Sequence, residues 1–205
     1  MKELDATIGK VMDRMTELET KRELALSMSR SIIRKTKNMI HAIHTEGEFM
    51  TIQGELKEDM KSLVTKLKAD PVILHSQAVE DCMMEFSEAL ILSSIVRKKD
   101  MPTYETLKVS PQAWALGLCD TVGELRRLVL TNLMRNDMKK AQYYFDYMDM
   151  ICNEIIKFDV PDAILPIRRK QDVARGVMEK TRSDMTNALM LERFGAPNSK
   201  VDGPC

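Results

Sequence analysis

Strand-forming material is scarce in this sequence. Aromatic side chains are 5% of 205 residues, and no stretch alternates apolar with polar residues, which argues against a β-sandwich or barrel. Glycine and proline, 8 and 7 in all, punctuate the chain at only a few places. Cys82, Cys119, Cys152 and Cys205 contain no C-x-x-C pair, so the spacing predicts reduced thiols of a cytoplasmic protein rather than a structural zinc. No apolar run reaches about 18 residues, and the opening MKELDATIGKVMDRMTELE is too charged for a signal peptide; no membrane partner is expected. An excess of charge of one sign is missing as well. The 31 basic and 31 acidic residues cancel, so a polyanion must be held by a local patch. There is no glycine-rich phosphate loop, and spacing alone brings out no Ser-His-Asp or Cys-His arrangement.

What is plentiful is material for helix packing: 44% hydrophobic residues, with 17 methionines among them. Leu4, Ile8, Val11, Met15 and Leu18 recur at steps of three and four, and Ile32, Ile33, Met39, Ile40 and Ile43 resume the stripe. One long helix over residues 3–45 follows, ended by HTEGE. Leu56, Met60, Leu63, Val64 and Leu67 mark a second over 48–68. Asp70 as N-cap and Pro71 at the first helical position restart the chain, predicting a third helix to residue 98. After the connection KKDMPTYETLKVSP, Ser110 and Pro111 open a fourth to residue 134, in which Trp114 reads as a packing residue. A fifth covers 137–158, and a last covers 167–194 with Gly195 as its stop. A single all-α domain over 1–195 is expected, an antiparallel bundle of six to seven long helices, followed by a disordered tail at 196–205. The first helix reaches about 60 Å at ~1.5 Å per residue. That exceeds what a compact domain of this length needs, and it predicts a homo-oligomer.

Two acidic pairs interrupt the apolar helices. Glu85 and Glu88 stand at i, i+3 inside DCMMEFSEALILSSIV, and Asp120 and Glu124 at i, i+4 inside LCDTVGELRRL, so each pair shares a helix face. Ionised carboxylates gathered in a poorly solvated setting are unfavourable unless something compensates. A divalent cation compensates, and an all-oxygen donor set suits Mg²⁺, with Mn²⁺ as a substitute. Against this stands the ordinary reading of such pairs as a solvated face salt-bridged to lysines. The apolar flanks count against that reading, as does the lack of a basic residue at Ala89, Leu92 or Leu128, four positions on. Gly123, inside a helix, costs about 1 kcal/mol relative to alanine, and the missing side chain would let another helix or a ligand come close there. Di-iron bundles are excluded because no Glu-x-x-His is present. An all-α nucleoside triphosphate pyrophosphatase would carry E-x-x-E then E-x-x-D, whereas the second pair here has the wrong order and spacing.

Arg30, Arg34 and Lys37 fall at i, i+4, i+7 on the first helix, with Lys35 beside them. The stripe can track a phosphate backbone, or it can be a solvated face. Arg126 and Arg127 follow the second acidic pair directly and could hold a phosphate beside a metal.

These residues carry a resemblance to the translin/TRAX family that runs along most of the chain. KRELALSMSRSIIRKTKNMIHAIH resembles TRAX's first long helix, through Ser29, Arg30, Lys37 and His44. MMEFSEALILS resembles TRAX's E-[YF]-x-E-A pattern through Glu85, Phe86, Glu88 and Ala89. VSPQAWALGLCDTVGELRRLVLTN resembles TPxDYLxGxxDLTGELxR through Pro111, Leu116, Gly117, Asp120, Gly123, Glu124, Leu125 and Arg127. The resemblance implies a helical protomer in a hollow oligomer, commonly an octamer, that encloses RNA, and a Mg²⁺-dependent endoribonuclease of the TRAX kind. By resemblance Glu85, Glu88 and Asp120 are the catalytic carboxylates and metal ligands. Glu124 is a further ligand or a neighbour of one, and Arg30, Arg34, Lys37, Arg126 and Arg127 contact RNA. Single-stranded RNA is the favoured substrate expected, with DNA as a further partner. The competing expectation is a translin-like oligomer that binds RNA or DNA without cutting it.

Overall fold

The computed structural model describes residues 1–194, so the expectations placed on Gly195 and on 196–205 lie outside the described residues. The described chain is helical from end to end, with no strand among these residues: α1 (Lys2–His44), α2 (Met50–Leu67), α3 (Pro71–Leu74), α4 (Gln77–Val96), α5 (Tyr104–Leu107), α6 (Pro111–Met134), α7 (Met138–Ile155) and α8 (Arg168–Phe194). Six of these are long, as the apolar periodicity implies, and two are single turns. None is long and apolar enough to cross a membrane among the described residues. By compactness the chain divides into two units, Met1–Thr121 and Val122–Cys205.

In the first unit α4 is the central element. Its residues from Ala89 to Ile95 are buried without interruption, which a helix achieves only when it is covered on all sides. It packs chiefly against α1, which also carries α2. From α1 come Ala25, Ile32, Met39, Ile40 and Ile43, and from α2 Leu56, Met60, Leu63 and Leu67. The early part of α1 contributes nothing to this core. Leu4, Ile8, Val11, Met12 and Met15 are between 48 and 64% exposed, a continuous apolar stripe.

The predicted third helix is interrupted. The chain leaves α3 through His75, and Ser76 adopts extended dihedrals (φ −69, ψ 150) before α4 begins. Ser76 is the N-cap residue of α4, and a serine ahead of an apolar-periodic run is the signal that marks it. The connection 98–110 is not plain loop either. Thr103 Oγ1 accepts from the Thr106 N–H at 3.3 Å and starts α5, which Lys108 ends in the left-handed region at φ 57. Ser110 opens α6 as expected, accepting from the Ala113 N–H at 3.0 Å.

Asp70 precedes α3 at the N-cap position but makes no side-chain cap bond. Its side chain, 1% exposed, pairs instead with Arg14 and Lys21 of α1, both at 2.6 Å. Lys21 and Arg14 hold the Asp70 carboxyl below the usual carboxylate range. A depressed folded value lends stability that is complete above the unfolded value near ~4 and is lost as pH falls through the folded value. Asp70→Asn should therefore lower the thermal midpoint at pH 7 and narrow its gap to wild type below about pH 4. Thermal unfolding of both proteins from pH 2 to 7 checks this, and a gap independent of pH would contradict it.

In the second unit α7 packs on α8. Arg182 reaches Asp149 at 2.9 Å, and Gln171 Nε2 donates to the carbonyls of Ile155 and Phe158 at 2.8 and 2.9 Å, fastening the end of α7. Cys82, Cys119 and Cys152 are buried and not disulfide-bonded. Burial pushes the Cys82 thiol up to about 12 and Cys152 to about 11, so neither supplies a thiolate at neutral pH.

Candidate functional site

The two glutamates of α4 and the aspartate of α6 lie on either side of one helix crossing in the first unit. That crossing is made by Gly117. A Cβ added to it would stand 2.6 Å from the carbonyl oxygen of Met84, 2.9 Å from Ser87 Cβ and 3.0 Å from the backbone nitrogen of Glu88. No side chain fits there, so the α6 backbone lies directly on α4 between Met84 and Glu88. Ser87 assists by being small and by folding its hydroxyl back onto its own helix, where Oγ donates to the Met83 carbonyl at 2.7 Å. Thr121 does the same on α6, donating to the Gly117 carbonyl at 2.9 Å.

Asp120 follows Gly117 by three positions and so lies one turn along the contacting face. Glu85 and Glu88 flank the same point on α4. Glu85, Glu88 and Asp120 are each half-buried, neither sealed in the core nor freely solvated. Glu124, also half-buried, is one turn further along α6 and belongs to the second unit.

The room left at Gly123 is not filled by another helix: among the described residues nothing beyond its own helix lies within 4 Å of a Cβ placed there, and the residue is exposed. The helix contact falls at Gly117 instead. Gly117 carries the same sequence signal, a glycine inside an apolar helical stretch, but periodicity alone does not say which glycine meets a neighbour.

The donors are of one chemical kind, carboxylate oxygen, which is the set a hard divalent cation takes. Among the described residues, however, no group of three or more His, Cys, Asp or Glu side chains is drawn together closely enough to hold a metal ion. The backbones converge at the crossing, while the side chains do not form a closed ligand shell.

The basic residues separate into engaged and available groups. Lys35 is engaged, pairing with Glu55 at 2.8 Å and Asp59 at 2.9 Å. Arg30, Arg34 and Lys37 are exposed, and no carboxylate pairs with them among the described residues. Arg126 is engaged within the second unit, donating to Thr181 Oγ1 at 2.7 Å and pairing with Asp184 at 2.8 Å. Its neighbour Arg127 is exposed and without a carboxylate partner among the described residues. Sequence treats the two arginines alike; α8 distinguishes them.

No family model matches the chain. An uncharacterized protein of Methanocaldococcus jannaschii is 31% identical over 172 residues, 82% of this chain and 76% of that one. Among solved structures, one described as a complex of AfC3PO with duplex RNA superposes with a TM-score of 0.78 at 30% identity, covering 92% of this chain and 99% of that one. A second structure of AfC3PO gives 0.77 at 31% identity, covering 90% and 97%. The structure of apo-NeC3PO gives 0.78 at 19% identity over 88% and 96%, a likeness of fold.

Proposed function

The chain belongs to the translin-like family, and from that premise we propose that it binds RNA as a homo-oligomer and cleaves it with Mg²⁺ at Glu85, Glu88 and Asp120. The observation that carries the binding half is the likeness, at 30% identity over 92% of this chain, to a protein whose structure is described as a complex with duplex RNA. The exposed, unpaired stripe Arg30–Arg34–Lys37 supplies cations at helical spacing for a phosphate backbone. The exposed apolar stripe on α1 offers a surface that a second copy would cover; an octamer is the assembly the family resemblance favours.

The cleavage half rests on the crossing at Gly117, which brings acidic positions from two helices to one locus. The carboxylate donors fit Mg²⁺ or Mn²⁺ in kind. Glu85, Glu88 and Asp120 would hold the ion, with Glu124 as a further ligand. When bound, the cation supplies a Lewis acid for the charge that develops on the phosphodiester. Glu88 or Asp120 takes the proton of the attacking water as it adds to phosphorus, while the leaving oxygen departs. Arg127 is the available cation nearest in sequence to hold a phosphate.

One observation favours the second reading, a binder that does not cut: no three carboxylates are gathered to metal-binding distance among the described residues. Labelled single-stranded and duplex RNA, each incubated with Mg²⁺ and with EDTA, separates the two. Shortened products with Mg²⁺ alone are the expected result. Intact, retarded RNA in both conditions would leave the protein a binder. Pyrophosphate release from a triphosphate with indifference to RNA would overturn both in favour of a pyrophosphatase.

A further inference from the structure

On the other side of α4 from Glu85 and Glu88, the first unit holds a cavity of about 340 Å³ that the RNA reading leaves unused. It opens between α2, the C-terminal half of α4 and the connection that contains α5. Its walls have three chemical parts. Phe86, Leu90, Pro102 and Leu107 give an apolar side. Gln53 and Ser93, 7 and 1% exposed, give a polar floor on which Ser93 Oγ donates to Gln53 Oε1 at 2.5 Å. With its oxygen so engaged, Gln53 keeps two amide N–H donors for an incoming group. The rim is cationic: Lys57 and Lys61 from α2, Arg97 at the end of α4, and Lys99 and Lys108 from the connection, against Glu58 and Asp100.

The rim cations are not there to neutralise their neighbours. Among the described residues Lys61 pairs with Glu58 at 3.8 Å, and no carboxylate pairs with Lys57, Arg97, Lys99 or Lys108. Concentrating five like charges around a concavity raises the local potential, which costs stability unless an anion shares the site. The wall that carries Lys99 and Lys108 is also a fixed one. Trp114 Nε1 donates to the Pro102 carbonyl at 2.9 Å, Leu107 is buried, and the Thr103 side chain caps the start of α5.

We propose that this cavity binds a small phosphomonoester with a flat apolar body, of the size and chemistry of a nucleoside 5′-monophosphate. The volume is at the lower end of the roughly 300–1,000 Å³ range of small-ligand sites, enough for one nucleotide. Arg97 and the rim lysines answer the phosphate, since a guanidinium presents two parallel donors to it. The apolar wall answers the base, and the Gln53 amide answers a carbonyl or ring nitrogen on it.

Isothermal titration of the full-length protein with the four nucleoside 5′-monophosphates tests this. The expected result is saturable binding of at least one, with the matching nucleoside and inorganic phosphate each about tenfold weaker or more, because each lacks half of the recognised chemistry. Lys57→Glu with Arg97→Glu should weaken the nucleotide by about tenfold or more, leaving the circular dichroism spectrum unchanged. Should that double variant lose helicity, the neutral pair Lys57→Gln and Arg97→Gln at these exposed positions serves instead, with the same expected loss. Absence of saturable binding by all four nucleotides overturns the proposal. So does equal affinity for nucleoside and nucleotide, undiminished binding in the folded variant, or a variant that loses RNA affinity while wild type binds no mononucleotide.

Discussion

Asp120→Ala and Glu85→Ala, made separately, are expected to lower Mg²⁺-dependent RNA cleavage by about 10²–10⁴-fold while leaving RNA retention unchanged. The separation follows from placement. The exposed Arg30, Arg34 and Lys37 stripe is on α1, whereas the carboxylates flank the crossing of α4 and α6 at Gly117. A neutral side chain at 85 or 120 removes cation affinity and proton acceptance together, and it adds nothing that would weaken contact with phosphates. Thermal midpoints close to wild type show that a loss of cleavage in either variant is not a loss of folding. Cleavage products on a denaturing gel, retention on a native gel and thermal midpoints are the three measurements. Cleavage at the wild-type rate by either variant removes the carboxylate site. Loss of retention together with cleavage would mean that the carboxylates serve binding or assembly instead.

Two glycines of α6 should respond to the same substitution with opposite signs. At Gly117 a methyl group meets the Met84 carbonyl at 2.6 Å and the Glu88 nitrogen at 3.0 Å. Both are backbone atoms of α4 and cannot rotate aside, so the helices must separate. Overpacking of this kind costs about 1–3 kcal/mol, opposed by roughly 1 kcal/mol of helix propensity gained. The net loss should be about 2 kcal/mol at the upper end, larger for Gly117→Val, with a fall of roughly 2–4 °C in midpoint per kcal/mol. Because the crossing positions Glu88 and Asp120, cleavage should fall further than stability does. Gly123→Ala meets no other element within 4 Å among the described residues and should raise stability by about 0.5–1 kcal/mol. Denaturant midpoints of the two variants settle the comparison. A stable Gly117→Ala with wild-type cleavage would mean that the close approach does not organise the site.

Sequence alone determined the helices of this protein and the chemical kind of its candidate site. Helix formation is a local matter, written in apolar steps of three and four and in the proline at 111, and most of the long elements start and stop close to where those signals stand, whereas Pro71 opens only the single turn α3. Glu85, Glu88 and Asp120 stand out as candidates on the same local ground, since a carboxylate among apolar neighbours is conspicuous wherever its helix packs. Smaller local signals at Ser76 and Thr103 were present but outweighed by the surrounding periodicity.

What tertiary structure decided was partnership between distant segments. The glycine that makes the helix contact, the diversion of Asp70 from capping to Arg14 and Lys21, and the engagement of Arg126 but not Arg127 each depend on a neighbour far away in sequence. The cationic cavity is the extreme case, since its walls come from α2, α4 and the α5 connection. A helical repeat specifies which side of a rod is apolar. Which rod lies against it, and at which residue the two backbones touch, is set by side-chain volumes summed across the packed interface.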